Sequence, residues 1–132
     1  MITWNNLDTL TSFKELENVE RVDLVKAMAG ENGAERVKNY SVPMAEGLTY
    51  NYAAKQVDDK VLAALAKLAD EAQLTEKFEA LYNGEVINTG EKRLVLHHMT
   101  RGQLGEAVEA DGVDKRTFYT EQQANLRFYR YP

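Results

Sequence analysis

The chain has 132 residues, of which 44% are hydrophobic and 28% charged, and its 16 basic and 21 acidic side chains give a net charge of −5. This length favours one compact domain, and the acidic balance gives no reason to expect a nucleic acid or an anionic membrane as partner. The absence of cysteine excludes disulfides, thiolate metal sites and a cysteine nucleophile. Because no signal peptide and no apolar stretch of membrane-spanning length is visible, we expect a soluble, cytoplasmic protein.

The first third of the chain predicts short helices. Apolar residues at every third position predict a helix over Trp4–Leu16. Asp23 is a suitable cap for a second short helix that ends at Gly30, and Asn32–Gly33 predicts a break before another helical turn.

The pattern then changes to strict alternation, which predicts a β-hairpin with its turn at Ala45–Gly47. We expect one face of the two strands to be buried, because apolar and aromatic residues occupy alternate positions: Tyr40, Val42, Met44, Leu48, Tyr50 and Tyr52. Pro43 has no amide proton, so the first strand should lie at an edge or a bulge. An isolated hairpin is marginal in water, so this one must pack on helices or on another part of a larger protein.

The second half predicts longer helices. Apolar residues from Val57 to Ala72 recur at helical spacing, and Thr75 is a candidate cap for a following helix that ends at Asn83–Gly84. The polar stretch Gly102–Asp114 predicts an exposed, acidic connection, and an amphipathic helix is predicted from about Lys115.

These elements predict a mainly α fold with a small antiparallel β-hairpin. We expect a single domain over residues 1–132, divided into short helices at 1–38, the hairpin at 39–53, a helix pair at 57–83, and a motif segment, acidic loop and terminal helix at 93–132.

One short stretch concentrates reactive side chains: Glu91, Arg93, His97 and Arg101, with His98 beside them. A histidine titrates near neutral pH and could act as an acid or base, and the arginines could hold a phosphate or carboxylate. In a helix, residues 93, 97 and 101 would share one face. We favour the alternative, a structural ion-pair network with Glu91 as the acidic partner. No metal site is expected, because adjacent histidines point to different sides of a regular element.

The same region carries a recognisable motif. Glu79–Asn88 reads EALYNGEVIN, Glu91–His97 reads EKRLVLH, and Arg101 follows four positions later. This pattern resembles the glucose-6-phosphate isomerase family, with these residues in register: Gly84, Glu85, Ile87, Asn88, Glu91, Arg93, Val95, Leu96, His97 and Arg101. The resemblance covers residues 36 to 101 well, and residues 1 to 35 only in their helical organisation.

The resemblance implies the N-terminal fragment of an α/β sugar-isomerase-type enzyme. Members of the family interconvert glucose 6-phosphate and fructose 6-phosphate in glycolysis and gluconeogenesis, without metal, nucleotide or other cofactor. Their catalytic groups lie further along the chain, so we expect no catalytic residue here and a structural or site-supporting role for Glu91, Arg93, His97 and Arg101. The implied partners are the remainder of the isomerase chain or a homodimer partner, and a sugar phosphate only in the full-length enzyme.

Two other functions stay open from the residues alone. The chain could be an independent helical protein–protein interaction module that has kept the family's N-terminal fold, with its exposed apolar surface serving a partner. It could also be a small hydrolase that uses His97, which requires a nucleophile or an acid beside that side chain. The end of the sequence, Leu126–Pro132, is expected to stop in mid-helix, as a piece of a longer protein would.

Overall fold

The structure, a computed structural model, describes residues 1–101 and 105–129, and it confirms a mainly helical fold with a small antiparallel hairpin. The described part of the chain forms these helices and strands in chain order: α1 (Thr11–Glu17), α2 (Leu24–Ala27), α3 (Gly30–Asn39), β1 (Ser41–Pro43), β2 (Thr49–Asn51), α4 (Asp59–Glu71), α5 (Leu74–Tyr82), β3 (Glu109–Ala110), β4 (Val113–Asp114) and α6 (Lys115–Tyr129). None of the helices in the described ranges combines the length and the apolar character that crossing a membrane requires.

The chain divides into two compact units. Asn5–Ala72 forms the first, which we call the hairpin unit because it contains β1 and β2. Met1–Trp4 together with Gln73–Pro132 forms the second, which we call the motif unit because it contains the segment from Glu79 to Arg101.

In the hairpin unit, the first α-helix begins at Thr11, so the prediction of a continuous helix from Trp4 is wrong. Leu7–Thr9 forms only a short 3-10 turn, and Leu10 then adopts an extended backbone (φ −80°, ψ 146°) that separates the turn from α1.

The start of α1 is fixed by a side chain about sixty residues away. The carboxylate of Glu71 accepts hydrogen bonds from the backbone N–H of Thr11 (3.1 Å), from the N–H of Ser12 (2.7 Å) and from the Ser12 hydroxyl. These donors belong to the first turn of a helix, where no intrahelical acceptor exists. Glu71 therefore caps α1 from the end of α4, and an ion pair between Lys67 and Glu15 (3.3 Å) links the same two helices.

The next two helices show how glycine and aspartate act locally. Asp23 caps α2 as predicted, accepting from the N–H of Val25 (3.0 Å) and of Lys26 (3.2 Å). The predicted break at Asn32–Gly33 is wrong, because α3 runs through it. A Cβ on Gly33 would lie 2.4 Å from the backbone oxygen of Met28, so glycine serves here to allow close approach of the backbone.

The predicted hairpin is present. Strands β1 and β2 pair antiparallel, with Val42 opposite Tyr50 and Pro43 opposite Thr49. Because side chains alternate along a strand, one face of the hairpin carries the apolar and aromatic set, which we call the hairpin face: Tyr40, Val42, Met44, Leu48, Tyr50 and Tyr52. The expected burial of this face is wrong in the described structure, since four of its members are 44–65% exposed: Val42, Met44, Leu48 and Tyr50.

A buried arginine holds the segment that follows the hairpin. Arg36, in α3, is only 8% exposed. Its Nε donates to the carbonyl of Ala53 (2.8 Å), and one terminal nitrogen donates to the carbonyls of Lys55 (3.0 Å) and Val57 (2.6 Å). The guanidinium carbon also lies 4.3 Å from the ring centroid of Tyr40. Arg36 thus supplies donors to backbone groups that no strand or helix satisfies.

We expect Arg36→Met to destabilise the hairpin unit by about 3 kcal/mol, because it keeps the apolar stem but leaves buried carbonyl groups without a charged donor. The measurement is urea unfolding followed by circular dichroism. Arg21→Met is the control, because Arg21 is an exposed arginine of the same unit and its loss should change the free energy of unfolding by no more than about 0.5 kcal/mol. Equal effects of the two substitutions would contradict the role given to Arg36.

The cap on α1 predicts a pH dependence of stability. Hydrogen bonds from the side chain and N–H of Ser12 and the N–H of Thr11 lower the pKa of Glu71, against an opposing effect of burial. A lowered folded-state pKa stabilises the fold above the unfolded pKa of about 4.3, and this stabilisation is lost as pH falls through the folded value. We therefore expect Glu71→Gln to lower the melting temperature at pH 7 and the difference from the wild type to shrink below about pH 4.

Thermal unfolding by circular dichroism between pH 3 and pH 7 measures this difference. Glu20→Gln removes the same charge from an exposed site in the same unit and should show no comparable dependence on pH. A Glu71→Gln deficit that is constant across the pH range would show that the carboxylate charge does not carry the cap.

In the motif unit, α5 begins after Gln73, which has a left-handed backbone (φ 53°), so the predicted cap at Thr75 is wrong. The Gln73 side-chain oxygen accepts from the N–H (2.8 Å) and hydroxyl (2.9 Å) of Thr3, and its amide nitrogen lies 3.4 Å from the carbonyl oxygen of Met1. These bonds attach the first residues of the chain to this unit.

The last part of the motif unit confirms the helix predicted from Lys115, which is α6. The predicted exposed, acidic connection at Gly102–Asp114 is only partly described. Residues 102–104 lie outside the described ranges, and β3 pairs with β4 in a short antiparallel hairpin. The expectation for the tail falls partly on residues 130–132, which are also outside those ranges.

Candidate functional site

The family-like motif begins at the end of α5, where Gly84 ends the helix. The N–H of Gly84 donates to the carbonyl of Leu81 (3.2 Å), and the N–H of Glu85 donates to that of Ala80 (2.9 Å). This pair of bonds is a Schellman motif, which needs a left-handed residue at the position of Gly84 (φ 74°). A Cβ there would also lie 2.3 Å from Val108 Cγ1, so both backbone angle and space require glycine.

The middle of the motif is a closed loop. Asn88 and Arg93 exchange backbone hydrogen bonds (3.3 and 3.2 Å). Inside the loop, the Asn88 side chain accepts from the N–H of Glu91 (3.1 Å) and donates to its carboxylate (3.2 Å). The Glu91 carboxylate lies 3.8 Å from the Arg93 guanidinium, and both side chains are largely exposed. An exposed pair of this kind contributes little stability, so the loop is held mainly by Asn88.

The segment 93–101 is not an α-helix, so Arg93, His97 and Arg101 do not share a helical face. Residues 94–96 are irregular, and His97–Thr100 forms a 3-10 helix. His97 and Arg101 are exposed, and no hydrogen bond joins either side chain to Glu91 or Arg93. The structure brings Glu91 and Arg93 together and leaves the other two apart from them.

His98, rather than His97, is the histidine whose ring nitrogens are buried, and no sequence pattern distinguishes the two. Its ring stacks on Tyr82 with centroids 4.9 Å apart, and both ring nitrogens are buried without a hydrogen-bond partner. Met99, next in the chain, is fully buried. An imidazole with no partner for either nitrogen is a packing group rather than an acid or base with a reacting partner in reach.

Arg116, in the first turn of α6, is a further buried group that sequence reasoning missed. It is 6% exposed, and its guanidinium donates to the carbonyls of Glu106 and Tyr82 (2.6 Å to the latter) while lying 5.3 Å from the Tyr82 ring centroid. One terminal nitrogen, Nη1, is buried without a partner. An arginine beside a polar loop looks like a surface residue in sequence, because only the folded chain shows which carbonyls need a donor.

A shallow depression lies where α6 begins, and Arg116 and Asp114 contribute to its lining. The Asp114 carboxylate accepts from the Thr117 hydroxyl (2.6 Å) and from the N–H of Arg116 (3.1 Å), and it also receives N–H bonds from Val108 and Thr117. The bond from the Thr117 hydroxyl, which burial opposes, and the N–H bonds hold the pKa of Asp114 below its usual range. The donors to Asp114 belong to the first turn of α6 and to Val108, which precedes β3. Asp114 in this depression therefore has a structural role. Within residues 1–101 and 105–129, no cluster of three or more histidine, cysteine, aspartate or glutamate side chains could hold a metal.

Comparison with known proteins identifies the family. The sequence profile of phosphoglucose isomerase matches residues 51–130 of this chain. The chain belongs to the phosphoglucose isomerase family. The matched range includes Gly84, Asn88, Glu91 and Arg93, which form the helix cap and the closed loop described above.

Curated glucose-6-phosphate isomerases of Treponema and Borrelia species are similar to this chain. That of Treponema denticola is 50% identical over 129 residues, which cover 94% of this chain and 25% of the relative. That of Treponema pallidum subsp. pallidum is 41% identical over 125 residues (92% and 23%), and that of Borrelia garinii subsp. bavariensis is 40% identical over 124 residues (92% and 23%). The chain spans about a quarter of the length of these relatives, and the similarity extends into the first 35 residues, beyond the helical organisation expected there.

The stacked histidine gives a testable prediction. We expect His98→Phe to leave the free energy of unfolding unchanged or to raise it by about 1 kcal/mol, because phenylalanine keeps the stack on Tyr82 and removes two buried nitrogens that lack partners. Urea unfolding measures the difference. His97→Phe, at an exposed position, is the control and should change it by no more than about 0.5 kcal/mol. A loss above about 1 kcal/mol for His98→Phe would mean that its nitrogens have partners in solution.

Proposed function

We propose that this chain is the N-terminal scaffold part of a glucose-6-phosphate isomerase, which interconverts glucose 6-phosphate and fructose 6-phosphate in glycolysis and gluconeogenesis, and that it does not catalyse the reaction alone. The observation that carries the proposal is the match to the Treponema denticola isomerase, at 50% identity over nearly the whole of this chain but only a quarter of the relative.

The core of the described structure supports a dependent part rather than a self-sufficient enzyme. Its buried apolar residues are mostly small, four of them alanines: Leu10, Ala53, Ala64, Ala72, Ala80, Met99 and Val108. The chain exposes 10630 Å². Two separate compact units, each of half its 15.0 kDa mass, would together expose only about 8,500 Å². Large apolar side chains such as Leu48, Leu74 and Phe78 are among the exposed residues, as expected of a part that packs on more protein.

The motif residues support a structural role. Glu91 and Arg93 belong to a loop closed by Asn88. Among the described residues, no hydrogen bond joins the His97 side chain to an acid or a nucleophile, since the Thr100 hydroxyl donates to the backbone carbonyl of His97. We therefore propose Glu91, Arg93, His97 and Arg101 as structural or site-supporting positions. A hydrolase that uses His97 finds no supporting contact in these ranges.

The other expectations from the resemblance belong to the same proposal. The enzyme acts in the cytoplasm and needs no cofactor, the chain's partner is the remainder of the isomerase chain or a second subunit, and sugar phosphate binds only in the full-length enzyme. We also propose that the two compact units belong to a single domain over residues 1–132.

A chimera tests the proposal. This chain replaces the matching quarter of the Treponema denticola isomerase, and fructose 6-phosphate formation is followed in a coupled assay. We expect kcat within about tenfold of that of the parent enzyme for the chimera, because half of the residues in the exchanged part are identical. We expect no turnover for the 132-residue chain alone or for the relative without its matching quarter.

The outcomes separate the alternatives. Turnover by the isolated chain would contradict the scaffold role, and a folded but inactive chimera would favour the independent interaction module. Within an active chimera, His97→Asn and Arg101→Met should lower kcat less than tenfold. A loss of a thousandfold or more at unchanged stability would make either residue part of the chemistry.

A further inference from the structure

The hairpin face has the residue pattern of a sheet that is buried on one side. Its members alternate with polar or small residues that point the other way: Ser41, Pro43, Thr49 and Asn51. This alternation is typical of a two-stranded or larger sheet with one face on a core. In the described structure, however, Val42, Met44, Leu48 and Tyr50 leave about half of their surface exposed. The residue pattern therefore indicates that the hairpin face is buried against other protein, and the hairpin unit itself does not bury it.

The uncovered face is also shaped to receive other side chains. Val42, Tyr50 and Tyr52 line a shallow groove with Val57 and Leu62, and Lys55 is the one charged side chain in its lining. The rings of Tyr50 and Tyr52 stack with centroids 6.1 Å apart, which gives the groove an aromatic wall. An apolar groove with a single charge at its rim fits an apolar protein surface better than it fits a charged ligand.

We propose that the hairpin face is the packing surface for the remaining three quarters of the isomerase chain, an inference that rests on the proposed function. The relatives carry about three quarters of their length beyond the part that matches this chain. That mass must pack on the matching part if the two form one enzyme, and the hairpin face combines apolar pattern, exposure and concavity. Packing within one chain occurs at high effective concentration, so a modest apolar area suffices.

A second copy of this chain fits the face less well. With roughly 200 Å² for the full surface of a large apolar side chain, the four half-exposed members offer on the order of 400 Å². Stable dimers bury about 800 Å² on each partner. The face alone is therefore too small to hold two copies together, whereas it is adequate as one part of an intramolecular contact.

Thiol labelling tests the inference, because the chain has no cysteine of its own. Leu48→Cys places a thiol on the hairpin face at a position that is 65% exposed, and Val25→Cys places a control thiol on α2 at a position that is 84% exposed. Each variant is made in the 132-residue chain and in the Treponema denticola chimera. Mass spectrometry of the peptides that carry residues 48 and 25 follows the labelling rate apart from any other thiol.

We expect both thiols to react rapidly in the 132-residue chain, and the Leu48→Cys thiol to react at least tenfold more slowly in the chimera while the Val25→Cys thiol stays within twofold. Circular dichroism of each variant checks its folding, and Met44→Cys serves as a second probe of the face should Leu48→Cys fold poorly. Labelling of residue 48 at the same rate in an active chimera as in the 132-residue chain would overturn the inference and leave the proposed function intact. An inactive chimera that still protects residue 48 would count against the proposed function alone. Protection in the 132-residue chain that grows with its concentration would assign the face to a second copy and overturn the inference.

Discussion

Residues 53–57 run between β2 and α4 without regular structure, so their carbonyl groups lack the partners that a strand or helix would provide. The guanidinium of Arg36 supplies donors to three of them and is itself buried against Tyr40. Since an unpaired buried carbonyl costs about as much as a lost hydrogen bond, the hairpin unit depends on this one side chain to join a helix, a hairpin and a second helix.

The motif unit uses the same solution in its own interior. Arg116 donates to the carbonyls of Glu106 and Tyr82, in a stretch of short strands and loops where few backbone groups pair with each other. Gly84 and Asn88 complete this arrangement by ending a helix and closing a loop. Several residues of the family-like motif therefore lie where the backbone leaves regular structure.

The sequence was a good guide to two elements that neighbouring residues decide. Asp23 caps α2 through bonds two and three residues away, and the alternation from Tyr40 to Tyr52 produces the hairpin, because both depend on local geometry. It was a poor guide where the partner is distant. The start of α1, for example, is fixed by Glu71, about sixty residues away along the chain.

For the candidate site, residue types alone do not indicate the roles of the residues. The stretch from Glu91 to Arg101 is rich in charged side chains and histidine, but its path after Arg93 is irregular, and spacing rules for helices do not apply there. The side chains with buried nitrogen atoms are those of His98 and Arg116, which both lie against the Tyr82 ring. Their burial depends on this packing, which no local sequence pattern records.

The single tryptophan, Trp4, determines what tryptophan fluorescence reports when this chain unfolds. Trp4 lies in the motif unit, where Thr3 is bonded to Gln73 and the Lys77 ammonium is 5.4 Å from the indole centroid. Its fluorescence therefore reports the release of the first residues from that unit. A single smooth fluorescence transition of this one residue would therefore be no proof of two-state behaviour.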